Sequence, residues 1–153
     1  MAKTITFVDG QILTAADLNT TTPEVPNTGD PVDTGWVTNG LDIVAAEGWE
    51  IVAYALRRTS MSVTGQVILN RTGATITPNA AGNFTDSLMF TLPLGWRNAN
   101  ILTPPIMAFQ SGVKSAFGRM NPNSGNAVLT HGIPGVTVDN AAAWYVPLNH
   151  LAG

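Results

Sequence analysis

The sequence predicts an all-β fold, a β-sandwich or jelly-roll-like domain. The clearest observation is the stretch 61–70, where apolar residues such as Val63, Val67 and Leu69 alternate with polar ones. A period of two residues is typical of a strand with one buried face. The second observation is that short apolar runs recur between turns rich in Pro, Gly and Asn. About seven short strands with frequent turns favour a sandwich or jelly roll.

The individual strands are predicted from these runs and from the turns that separate them. Residues 121–126 (Asn-Pro-Asn-Ser-Gly-Asn) predict a hairpin loop. The stretch 43–48 is compatible with a helical turn or with a strand and a loop, and both interpretations stay open. Besides 61–70, the predicted strands are residues 49–56, 74–77, 88–92, 101–102, 106–109, 127–129, 136–138 and 144–148.

The first 35 residues predict an appendage to this domain. Residues 1–19 indicate a strand, a turn at Asp9-Gly10 and a short helix, because Thr14 can cap a helix whose third following residue is Asp17. A helix this short is only marginally stable in isolation. Its apolar residues are therefore expected either to dock on a partner or to pack back on their own domain. Residues 20–35 contain three prolines and two glycines and predict an extended linker, which leaves 36–153 as the β-domain.

The charge composition favours a component of an assembly. Only 11% of the residues are charged, against roughly a quarter in a typical soluble domain. Residues 1–50 hold one base and eight acids, 1 − 8 = −7, whereas residues 51–153 hold six bases and two acids, 6 − 2 = +4. The acidic segment is either simply solvated or docks on a basic surface, its own or a partner's.

Several classes of partner are not expected. The net charge of −3 argues against general nucleic-acid binding. No stretch reaches the 18 or so apolar residues of a membrane span, and the first residues lack the apolar run of a signal peptide. We therefore expect a protein that is made in the cytoplasm and interacts with neither nucleic acid nor membrane.

The residues that carry chemistry are too few and too scattered to predict an enzyme. The chain has no cysteine, no Gly-x-Ser-x-Gly and no glycine-rich phosphate loop, and His131 and His150 lie 19 residues apart without a second ligand at metal spacing. We expect no catalytic residue, cofactor or metal. Arg57-Arg58 is interpreted as a salt bridge at a strand end or a contact with the acidic arm. Among four tryptophans, Trp96 and Trp144 are the candidates for stacking on a glycan.

Two stretches resemble proteins of tailed bacteriophages. Residues 7–19, Phe-Val-Asp-Gly-Gln-Ile-Leu-Thr-Ala-Ala-Asp-Leu-Asn, are similar to the F-x-D-G-x-x-L-T-A-A-x-L-N opening of tail-fibre, minor-tail and head-decoration proteins. Residues 91–97, Thr-Leu-Pro-Leu-Gly-Trp-Arg, resemble the L-P-x-G-(aromatic)-R-P segment of fibre-tip domains, although Asn98 stands where proline is usual. The resemblance covers the first 19 residues and, loosely, residues 49–148.

The resemblance implies a function and a location. It implies a structural protein on the virion surface, a capsid decoration or a small tail or fibre protein, whose arm 1–19 anchors a homotrimeric β-domain to major capsid or tail proteins. The alternative is a carbohydrate-binding or host-adhesion module that recognises a host surface glycan through Trp96 or Trp144. The anchoring residues that the motif implies are Phe7, Asp9, Gly10, Leu13, Thr14, Asp17, Leu18 and Asn19.

Overall fold

The described part of the chain is built from antiparallel β-strands. The structure is a computed structural model, and it describes residues 33–98, 103–110 and 114–152. Within these ranges there is no helix, and every strand pairing is antiparallel. The strands are β1 (Asp33–Val37), β2 (Val44–Ala45), β3 (Trp49–Thr59), β4 (Ser62–Arg71), β5 (Asn83–Thr91), β6 (Pro105–Gln110), β7 (Lys114–Met120), β8 (Asn126–Gly132) and β9 (Ala143–Leu151).

The nine strands form one curled, half-barrel sheet. Their order across the sheet is β1-β3-β4-β9-β6-β7-β8-β5-β2. The curl brings β2, at one edge of the sheet, back to β3 near the other edge, because β2 pairs with β5 and the chain then runs directly into β3. Two backbone hydrogen bonds fix this junction: the Ala46 N–H donates to the Met89 carbonyl at 2.9 Å, and the Trp49 N–H to the Ala46 carbonyl at 3.0 Å.

The concave face of the sheet encloses the hydrophobic core. In β4 and β9 every second side chain points inward, and the register places Val67 opposite Val146 and Leu69 opposite Trp144. All four of these side chains are fully buried. Trp49 and Trp96 are also buried in the same core. Since the period of a strand is two, the inward set of residues also determines which residues face outward.

The all-β prediction is confirmed, and the more specific prediction of a sandwich or jelly roll is not. The hydrogen bonding joins all nine strands into one sheet. The predicted N-terminal helix and most of the linker lie outside the described residues. Strand β1 begins at Asp33, within the stretch assigned to the linker.

At the level of single strands, the sequence located most of them. The loop at 121–125 does join a hairpin of β7 and β8, as expected. Strand β7 itself was missed, and the open stretch 43–48 contains the short strand β2. Residues 74–77 and 136–138 form only an isolated bridge between Ile76 and Val138. Residues 101–102 lie outside the described ranges.

The β3–β4 hairpin depends on a glycine at its centre. Gly65 lies opposite Leu56 and has a φ of +140°, which L side chains rarely adopt. A Cβ atom added there would overlap the carbonyl oxygen of Ala55, which is backbone and cannot move aside. Gly65 is therefore required both for its backbone conformation and for the close approach of β3.

We expect Gly65→Ala to reduce the free energy of unfolding by about 3 kcal/mol, combining backbone strain with steric overlap. Gly35→Ala is the matched control, because its φ is +62° but nothing lies within 4 Å of the added Cβ; the expected loss is about 1 kcal/mol. Urea midpoints of the two variants provide the comparison. Equal midpoints would contradict the assigned packing at Gly65.

One histidine is part of the interior. His150 follows the inward phase of β9 and is 6% exposed. Its Nε2 lies 2.9 Å from the carbonyl oxygen of Trp96, which can only accept, so Nε2 carries the proton. Its Nδ1 is buried and has no hydrogen-bond partner within the described residues. Burial lowers the pKa of His150 below 6.5, and the hydrogen bond to Trp96 acts in the opposite direction.

The buried imidazole makes stability depend on pH. The unfolded chain protonates this histidine as the pH falls below about 6.5, whereas the folded chain resists protonation until a lower pH. The contribution is therefore complete above pH 6.5 and decreases below it. Urea midpoints at pH 7.5 and pH 5.5 should show this decrease, which His150→Gln should reduce. The exposed His131→Gln is the control, and a reduction of equal size in that variant would refute the assignment.

Candidate assembly surface

The outward faces of three adjacent strands, β4, β9 and β6, carry no charged side chain. We call this surface the neutral face. Its side chains alternate with the buried ones of the same strands. They are Ser62, Thr64, Gln66, Ile68 and Asn70 on β4, Ala143, Tyr145, Pro147, Asn149 and Leu151 on β9, and Pro105, Met107 and Phe109 on β6. Depletion of charge is the compositional mark of an interface core.

The centre of the neutral face is apolar and aromatic. Ile68 lies opposite Tyr145, and Tyr145 lies opposite Phe109 on the next strand. The rings of Phe109 and Tyr145 are stacked, with centroids 5.5 Å apart and planes inclined by 17°. On the neighbouring strand β3, Ala53 pairs with Ile68 and continues the row with a small side chain. The stack holds two large rings in a fixed position on the outside of the sheet, which preorganises this surface for contact.

Both cations at the margins of the neutral face are already paired, and the exposed Glu50 on β3 lies opposite Asn70 at one corner of the face. On one side Arg57 Nη2 lies 2.6 Å from Asp33 Oδ2, and on the other Arg119 Nη2 lies 2.6 Å from Asp86 Oδ2. The hydrogen bond from Arg57 lowers the pKa of Asp33 to about 2. Asp33 belongs to the acidic first third of the chain, so this pair is a contact of the acidic segment with the chain's own basic part. It also agrees with the interpretation of Arg57 as a salt-bridge residue.

The start of β1, the β3–β4 turn and the end of β9 lie at one end of the sheet, which we call the proximal end. Asp33 at the start of β1 lies opposite Thr59, beside the β3–β4 turn. The Ala152 N–H donates to the Met61 carbonyl in that turn at 2.5 Å, so the last described residues lie at the same end. Arg58 donates to the carbonyl oxygens of both Ser60 and Gly95, which places Leu94 close to this turn. The side chain of Leu94 is 81% exposed.

The structure describes only some of the residues that the sequence predicted to be functional. Those of the N-terminal motif, from Phe7 to Asn19, lie outside the described residues. Trp96 and Trp144 were candidates for a glycan contact, but both are buried, and Trp144 is 0% exposed. Neither indole presents a face to a ligand at the surface, so the structure gives no support to a glycan site at these two residues. Trp36 on the edge strand β1 is 60% exposed instead.

Sequence reasoning missed the neutral face for an identifiable reason. The alternation in β4 was recognised, but Phe109 and Tyr145 were assigned to short apolar runs without a phase. Their outward direction follows only from strand pairing, which places Tyr145 opposite Ile68 and Phe109 opposite Tyr145. The low overall charge was the only signal in the sequence that pointed to such a surface.

Among the described residues, no three His, Cys, Asp or Glu side chains are grouped closely enough to hold a metal ion. Within the same ranges, no helix is long and apolar enough to cross a membrane.

Comparison of the chain with protein families, with curated proteins and with solved structures gives no match in any of the three.

The burial of the tryptophans is directly measurable. We expect acrylamide to quench a single accessible fraction of the fluorescence, that of Trp36, because Trp49, Trp96 and Trp144 are enclosed in the core. Trp36→Phe should remove the accessible fraction, whereas Trp96→Phe should retain it. If Trp36→Phe left quenching unchanged, the assignment of Trp36 as the exposed indole would be wrong.

Proposed function

We propose that this chain is a non-enzymatic structural component of a tailed-bacteriophage particle, a capsid decoration or a small tail or fibre protein. The neutral face is the observation that carries the proposal, together with the motif at residues 7–19. A folded module whose outward faces on three adjacent strands carry no charge, while the cations at their margins are paired internally, has a surface suited to contact with other subunits. The proposal includes a homotrimeric β-domain on the virion surface.

In this proposal the N-terminal arm 1–19 anchors the module to capsid or tail proteins. The chain reaches the sheet at the proximal end, where Asp33 begins β1. The 13 residues 20–32 span at most roughly 45 Å when extended. The β-domain would therefore sit close to the surface that the arm binds. Three weak anchors in one trimer would bind with the avidity of a multivalent ligand, and binding only the assembled particle would stabilise that particle.

The same proposal retains the finer expectation for the fold, a sandwich or jelly-roll-like domain. The curled sheet has two halves, with β3, β4 and β9 in one and β7, β8 and β5 in the other. Side chains from both halves contribute to one core, as the cluster containing Leu56, Trp144, Met120 and Phe90 illustrates. Two facing halves around one core are the packing principle of a sandwich.

The test is binding to particles prepared without this protein. We expect the wild-type chain to sediment with such particles and Leu13→Asp/Leu18→Asp to remain in the supernatant, because the charges oppose burial of the arm's apolar residues. Ile133→Asp is the control, since Ile133 is exposed and lies far from the proximal end. Thermal melting should be the same for all three proteins.

Two results would contradict the proposal. One is that the wild-type chain fails to sediment with capsids and tails. The other is that the doubly substituted arm binds as well as the wild type, which would mean that residues 1–19 are not the anchor.

A further inference from the structure

We infer that the neutral face is a contact between copies of this chain, with Ile68, Tyr145 and Phe109 at its centre. The inference names the surface that the three copies of the proposed homotrimer turn towards one another around its three-fold axis, and it rests on that proposal for its biological role. Its physical basis is independent of the arm and of any particle.

The neutral face has the size of the core of a subunit contact. With strands about 4.8 Å apart and residues about 3.4 Å apart, the three strands of the face and seven residues along them cover roughly 340 Å² of flat area. Projecting side chains make the accessible area larger than this flat area. A stable interface buries about 800 Å² on each partner, so the neutral face forms the uncharged core of such a contact and the charged strands β3 and β7 form its rim.

The polar groups of the neutral face suit a second copy. Gln66 and Asn149 each carry an amide with two donors and an acceptor, and Thr64 has a hydroxyl that can do both. The hydrogen-bond donors of one copy can bond to the acceptors of the other copy, and the reverse, so these polar groups can be satisfied in the contact. A partner that used charged groups would bury them without a counter-charge on this face, which is costly.

The N-terminal segment 1–32, the arm with its linker, is a poorer occupant of this face. Residues 1–32 contain Lys3 and four acids, Asp9, Asp17, Glu24 and Asp30, for a net charge of 1 − 4 = −3. Covering the neutral face with this segment would bring carboxylates against a surface that holds no cation. The cations nearest to the face, Arg57 and Arg119, are already paired with Asp33 and Asp86. A second copy of the neutral face presents no such mismatch.

The first test introduces like charges into the proposed contact of the full-length protein. We expect the wild type to be oligomeric by light scattering and Gln66→Lys/Asn149→Lys to have the mass of one chain, because facing lysines repel and must be desolvated. Thr85→Lys is the control, since Thr85 is exposed on β5, outside the neutral face. Circular dichroism melting should confirm that all three proteins are folded.

A wild type that is monomeric overturns the inference, and so does a doubly substituted chain that keeps the wild-type mass. Loss of the oligomer in the Thr85→Lys control also counts against it. None of these outcomes depends on particle binding. The sedimentation experiment, in turn, reports on the arm, so the two proposals can fail separately.

A second measurement identifies what covers the face. Because the chain has no cysteine, Thr64→Cys and Thr85→Cys each provide a single thiol in a nearly isosteric substitution. We expect alkylation of Cys at 64 to be slowed by about tenfold or more relative to 85 in the oligomer, because an interface core excludes solvent. Dilution to the monomer should remove the difference. Protection that persists on dilution would mean that the chain's own residues cover the face, and the inference would be wrong.

Discussion

Burial of one side of the strands β3 to β9 is the constraint on which the rest of this structure depends. The curled sheet has a single interior, to which β4 contributes Val63, Val67 and Leu69 and β9 contributes every second residue from Trp144 to His150. Each fully buried aliphatic or aromatic side chain contributes roughly 1.5–3 kcal/mol relative to exposure. A shift of register by one residue would move this set to the solvent, so the interior also determines which residues form the neutral face.

The β2–β3 connection is joined to the end of β4 at the end of the sheet opposite the proximal end. There the carbonyl oxygen of Gly48 accepts hydrogen bonds from the N–H groups of Thr72 and Gly73, each at 2.9 Å, and from the Arg71 guanidinium at 2.9 Å. The same guanidinium lies 5.2 Å from the ring centroid of Trp49. This junction ties β2, β3 and β4 together. The neutral face is thus presented by a sheet whose β3–β4 pair is tied together at this end, while β1 begins at the other end.

The sequence predicted those strands and turns that depend only on the local pattern of residues. The alternation at 61–70 and the turn at 121–126 were sufficient to locate β4 and the loop that joins β7 to β8. Strand β7, with the sequence Lys-Ser-Ala-Phe-Gly-Arg-Met, was missed because Gly118 and two cations interrupt its apolar pattern. Its pairing with β6 and β8 overrides that weak propensity. The candidate site depended on the direction of Tyr145 and Phe109, which is a property of pairing between distant strands and has no local signature.

The neutral face and the acidic arm have different physical roles in the function proposed here. A charge-free face interacts only at contact, through apolar area and short-range hydrogen bonds, so it is insensitive to salt and demands close shape complementarity. The segment 1–32, with a net charge of −3, is attracted to a basic surface over about 10 Å at moderate ionic strength, before any contact forms. Oligomerisation and anchoring can then proceed in order. Copies first associate through the face, and the assembled arms then bind the particle together, each adding to the avidity of the others.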